Sequence, residues 1–177
     1  TNAINIPYIK QLVITGQIPI IKLLLLNNLI SLIDFVRPVY PAISNVGNVT
    51  TQGDIAMRSD ISKSIFKVQG EGIKVGVLSD SYNSKLGNPA SDDVLKGDLP
   101  GSTNPDNLLP VDVVEEYPYG EGTDEGRAML QIIHDIAPKA ELAFRTGFIG
   151  ENDFARGIKD LQQGGCNIVV DDITYIS

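Results

Sequence analysis

The sequence predicts an α/β fold: a parallel open sheet with flanking helices, incomplete, preceded by a small α/β segment. Two observations predict it. From Gly70 onward, β-branched runs alternate with amphipathic stripes in the order strand, excursion, helix, strand, helix, strand, which is the pattern of crossover connections in a parallel sheet. Upstream, residues 1–45 form a block of different texture, rich in Ile, Leu and Asn and nearly devoid of acid.

In that first block, Pro19 followed by Leu23, Leu24, Leu26, Ile30 and Ile33 predicts a helix starting near position 20. Pro38 and Pro41 keep Phe35–Tyr40 extended. Residues 46–69 read as a linker and one short helix, with Ile55, Met57, Ile61, Ile65 and Phe66 as its apolar positions. Asn48-Val49-Thr50 spells a glycosylation sequon, a motif too short to carry weight alone.

Residues 70–177 carry the main domain. Ile73–Leu78 reads as a strand, bounded by Gly72 and a polar cluster from Ser79. Residues 83–107, full of Gly, Pro, Asn, Asp and Ser, read as a long surface excursion, and Val111–Val114 as a shorter strand. Thr123 and Asp124 are N-cap types, and Ala128, Met129, Ile132, Ile133 and Ile136 make the apolar stripe of a helix that Pro138 stops. Leu142–Thr146 is a strand, Phe154, Ile158 and Leu161 space a helix ended by Gly164-Gly165, and Ile168–Ile173 reads as a strand buried on both faces. Three good strands are few for an open α/β domain, so the expectation is a chain that stops partway through its fold.

Composition narrows the chemistry. Of 177 residues, 14 are Lys or Arg and 22 are Asp or Glu, a net charge of −8 that disfavours nucleic acid as a partner. One cysteine, Cys166, excludes an internal disulfide and a cysteine-cluster metal site, and one histidine, His134, leaves a multi-imidazole zinc site without ligands. The expectation from composition is therefore no metal. The apolar stretch Ile18–Val36 is interrupted by Lys22, Asn27, Asn28 and Asp34, so no membrane span is expected.

What remains is carboxylates. Ligands of parallel α/β sheets bind at the carboxyl ends of strands, where the following helices begin. Asp80 lies just past the first strand, Glu125 in the first turn of the next helix, and Asp171 and Asp172 toward the end of the last strand. Carboxylates held close share protons and split their pKa values, which suits acid/base work. Each also has a structural use: Asp80 in capping a turn, Glu125 in favouring the helix dipole. Gly126 clears bulk where a substrate backbone would approach. His134, nine residues after Glu125, lies half a turn out of phase and reads as structural, as does Cys166.

Four segments carry a likeness. Gly72-Ile-Lys-Val-Gly-Val-Leu-Ser-Asp80-Ser resembles the first-strand motif of subtilisin-like serine peptidases, and Gly122-Thr-Asp-Glu125-Gly-Arg-Ala-Met their helix-start motif. Ala137–Leu142 is similar to the following connection, and Asn167–Ile173 to the strand lining the substrate cleft. Glu125 stands where the subtilisin motif has histidine, as in sedolisins, while Met129 stands where sedolisins have a helix aspartate. An ungapped match puts Ser79, rather than Asp80, on the family's strand aspartate. The resemblance implies a secreted, periplasmic or cell-surface bacterial serine peptidase that acts on polypeptides and needs no cofactor. Glu125 is then the base, Asp80 its partner, and Asp171 and Asp172 line the cleft or oxyanion region. The nucleophile would lie in the remainder of the catalytic domain, and residues 1–45 would be propeptide-like. The same residues leave two alternatives: a non-catalytic binding or structural protein on a degenerate peptidase fold, and a small-molecule α/β binding domain.

Overall fold

The computed structural model describes residues 16–29, 31–33, 35–38, 43–44 and 52–175. The segment 45–51 with its sequon, Tyr40, Pro41 and Ser177 lie outside them. The chain divides into two compact units, Thr1–Tyr40 and Pro41–Ser177.

In the first unit Ile20–Leu29 is helical as the spacing predicts, but it winds as a 3₁₀ helix with no buried residue. Ile20, Ile21 and Leu24 are exposed.

The second unit begins with β1 (Ile43–Ser44), α1 (Gly53–Ala56) and α2 (Ser59–Phe66). The single helix expected over 54–66 is thus two, because Arg58 turns into the left-handed region at φ 59 and breaks the ladder. Then come β2 (Lys74–Ser79), α3 (Pro89–Lys96), β3 (Asp112–Glu115), α4 (Glu125–Ile136), β4 (Glu141–Thr146), α5 (Glu151–Gln163), β5 (Ile168–Asp171) and β6 (Ile173–Thr174). β1 and β6 form a two-stranded antiparallel ribbon.

The other four strands make one parallel sheet in the order β3-β4-β2-β5. Helices cover both faces, and period-2 alternation along β2 assigns its residues to them. Val75 and Val77 join Leu130 of α4 and Leu142 and Phe144 of β4 in one core cluster. Leu78 joins Ala143 and Leu161 of α5 in the other, with Cys166 packed against it. Gly76 faces the same side as Leu78, where a Cβ would press on the Cys166 sulfur and the Leu161 methyls.

Two expectations change here. The excursion 83–107 is not merely surface: it contains α3, opened by Pro89, and it sends Leu99 into the core with no exposed area. Ile168–Ile173 is not one strand buried on both faces. It breaks at Asp172, and Ile168 is 49% exposed because β5, among the described residues, is an edge strand paired with β2 alone. No helix among the described residues is long and apolar enough to cross a membrane.

Candidate functional site

β2 ends in Ser79, at the carboxyl edge of the sheet, and Asp80 follows directly. There it meets the start of α4. The Asp80 carboxylate is buried and spent on that start: Oδ1 accepts the N–H of Ser81 (2.6 Å) and of Glu125 (3.0 Å). Its Oδ2 accepts the Thr123 N–H and the Thr123 hydroxyl (2.7 Å for the hydroxyl). Thr123 and Asp124 have the composition of local N-caps, yet no cap side chain bonds the first turn from within; the cap comes from β2 across the sheet edge. The Thr146 hydroxyl, at the end of β4, holds the Asp80 carbonyl at 2.7 Å.

Asp124 does a parallel job for the excursion. It sits at φ 58, and its carboxylate accepts the Ser84 N–H and hydroxyl (both 2.8 Å) and the Ser81 hydroxyl (3.0 Å). Arg127 adds an ion pair at 2.6 Å. Burial pushes this carboxyl up, but the bonds from Arg127, Ser84 and Ser81 outweigh it and hold it at about 2. The approach is close enough that a Cβ on Gly122 would collide with Ser81 and Asp80.

With its backbone held by Asp80, Glu125 turns its carboxyl to two other groups. Ser79 Oγ lies 3.4 Å from Glu125 Oε2. Asp172, in the break between β5 and β6, is hydrogen-bonded to the Glu125 carboxyl. Burial raises Asp172 from the ordinary 3.8 to about 7, and the Glu125 hydrogen bond, the Glu125 charge and the Asp171 charge push the same way. The Glu125–Asp172 pair therefore holds a shared proton toward near-neutral pH. Asp171 is exposed, and its carboxylate accepts the Ile173 N–H at 3.3 Å, a local turn contact.

The structure thus brings Glu125 and Asp172 together, sets Ser79 beside them, and uses Asp80 on the main chain of the helix start. Gly126 has a different reason from the one its position proposed. A Cβ there would strike the Phe144 ring and the Ser81 carbonyl oxygen, so the glycine lets α4 close on β4 rather than admitting a substrate. His134 is buried on α4, its Nε2 3.1 Å from the Asn104 amide nitrogen. No group of three or more His, Cys, Asp or Glu arranged to hold a metal ion occurs among the described residues.

Ser79 is the site residue that sequence reasoning undervalued. Its signal is parity: it alternates onto the face of Val75 and Val77, the face covered by α4. Parity also separates the two aspartates after β5. Val170 packs in the cluster on the α4 side and Val169 on the other, so one further step carries Asp172 to the α4 side and leaves Asp171 opposite. No family model, curated protein or solved structure matches the chain.

Proposed function

We propose that Glu125 and Asp172 are the acid/base dyad of a serine-type peptidase resembling the subtilisin/sedolisin superfamily. One observation carries the reading: a carboxyl raised to about 7 is hydrogen-bonded to a second carboxyl at the carboxyl edge of a parallel sheet. In this scheme Glu125, ionised, accepts the proton of a nucleophilic serine as its oxygen attacks the peptide carbonyl. Asp172, protonated, donates to Glu125 and holds it in place. Glu125 then returns the proton to the leaving amine, and an acyl-enzyme forms. Asp80 orients the base through its backbone. The reading requires a nucleophile outside residues 1–177, and polypeptide as substrate.

The assay is hydrolysis of casein by the product of the uninterrupted reading frame between pH 4 and 9. The working state needs the Asp172 proton, so the rate peaks below about pH 6 and falls as pH rises through the Asp172 value of about 7. Glu125→Gln removes most of it, because an amide does not take the serine proton. A peak at pH 8 or above, or an active Glu125→Gln variant, rules the scheme out.

A second reading, a non-catalytic binding module on the same framework, draws on Asp80. Its carboxylate is saturated by three backbone amides and a hydroxyl, and Met129 stands where a helix dyad would need an acid. Retained binding of unfolded polypeptide with no hydrolysis at any pH favours it.

A further inference from the structure

We infer that His134 and Asn104 form a latch that fastens the 100–106 turn of the excursion to α4 and opens when the imidazole takes up a second ring proton. Both side chains are buried, His134 at 4% exposure and Asn104 at 2%. The Asn104 amide is fixed in orientation. Its Oδ1 accepts the Asp106 N–H at 3.0 Å, and its nitrogen donates to the Leu99 carbonyl at 3.0 Å, with the Gly97 carbonyl farther off at 3.4 Å. The other amide hydrogen faces His134 Nε2, 3.1 Å from the amide nitrogen. Nε2 is then the acceptor, and the neutral ring carries its hydrogen on Nδ1, a buried atom with no hydrogen-bond partner among the described residues.

A second proton puts N–H on both sides of the ring. Nε2–H then meets the Asn104 N–H, donor against donor, and Nδ1–H still has no acceptor. A turned Asn104 would lose the Asp106 and Leu99 bonds, so the docked turn has no way to receive imidazolium. The charges around the ring are Asp98 and Asp106 on the excursion and Asp135 on α4, all exposed and all favouring imidazolium. From the elements packed beside α4, Asp54 of α1 and Lys63 of α2 pair with each other at 2.8 Å, and Lys63 also donates to the Asp135 carbonyl at 2.7 Å. β2 and β4 give the shared core Val75, Val77, Leu142 and Phe144. Only burial opposes the three acids, and lifting the turn removes burial. Two anchors confine the motion: Leu99 in the core before the turn, and the Asn107 side-chain amide on the Pro138 and Ala140 carbonyls (3.1 and 3.0 Å) after it.

The latch is independent of the carboxyl pair and is tested without a substrate. The His134 ring and backbone amide exchange are followed by NMR from pH 7.5 to 5, a range in which ordinary carboxylates stay ionised. In the native protein the ring titrates below its ordinary 6.5, and protection of the Asn104 and Asp106 amides falls about tenfold over the same range. The Val77 and Phe144 amides keep theirs. In His134→Gln the side-chain carbonyl accepts from Asn104 and takes up no proton, so protection of the turn is the same at both ends of the range. Asn104→Asp provides a second measurement: it sets an acceptor beside Nε2, and the ring titrates at higher pH than in the native protein. An equal acid loss of protection in His134→Gln overturns the latch. So does a native ring that titrates while the Asn104 and Asp106 amides hold, or one that stays neutral throughout, or one unmoved by Asn104→Asp.

Discussion

Two acidic clusters flank the same sheet and are neutralised by different means. On the α5 side, Arg145 of β4 is wholly buried, yet it meets Asp153 (2.9 Å), Asp160 (3.0 Å) and Glu115 (2.7 Å). Arg156 approaches the same three acids. On the α4 side, Glu125 and Asp172 meet each other, and the charges that raise Asp172 are of its own sign. Guanidinium neutralises the first cluster permanently, because arginine does not give up its proton at any pH a protein survives. The second is neutralised by a proton, which can leave. The first arrangement holds α5 and β3 onto β4; the second has a charge that can change with pH.

The sharpest way to break the contrast is to remove the fixed cation. Arg145→Met removes the buried cation from three partly exposed acids that Arg156 still reaches, and we expect a loss of about 2 kcal/mol in urea unfolding at pH 7. A loss under about 1 kcal/mol would show that the acids at α5 do not depend on Arg145.

The opposite result is expected at the dyad. Because folding raises Asp172 from 3.8 to about 7, the unfolded chain gives up that proton more readily. The contribution of Asp172 to stability is present below about pH 4 and lost as pH rises through about 7. Asp172→Asn removes that loss. After allowance for solvent screening it gains about 1 kcal/mol at pH 8 and nothing at pH 4, read by the same unfolding titration. A variant destabilised at both pH values would place Asp172 with the structural acids.

The smallest effect concerns His134. Asn104 Oδ1 accepts the Asp106 N–H at 3.0 Å, so its amide nitrogen faces the ring and Nε2 is the acceptor. Burial lowers the His134 pKa from 6.5, outweighing the nearby Asp135, Asp106 and Asp98. The folded protein thus loses stability as pH falls below about 6.5, and His134→Gln flattens that slope while leaving pH 7.5 stability within about 0.5 kcal/mol. Casein hydrolysis, if the dyad drives it, does not respond to this substitution.

How much of this was legible follows from parity and punctuation. The four parallel strands and the helices on both faces are written in β-branched runs and 3.6-residue stripes. Convergence of Asp80, Glu125 and Asp172 on one edge follows from strand ends and a helix start. Roles within that set were less legible, because Asp80 binds backbone amides whose positions no side-chain pattern reports. The two-residue alternation that moves Ser79 and Asp172 under α4 was readable, since Val75, Val77 and Val170 mark the face. The Arg145 cluster was not, because it joins β3, β4 and α5 through residues whose spacing looks like ordinary surface charge. α3 was masked by the turn-forming composition of its surroundings, although Pro89 is well suited to a first helical turn.

The grip of Asp80 on the main chain at 123 and 125 has a consequence for how this edge can change. A helix start secured through amide hydrogens is indifferent to which side chain it displays there. Position 125 is then a socket: an imidazole, a carboxyl or an amide can be plugged into the same geometry without asking the helix to find a new anchor. A single codon would change the charge displayed at this edge beside Ser79 and Asp172, while Asp80 kept its hold on the helix start.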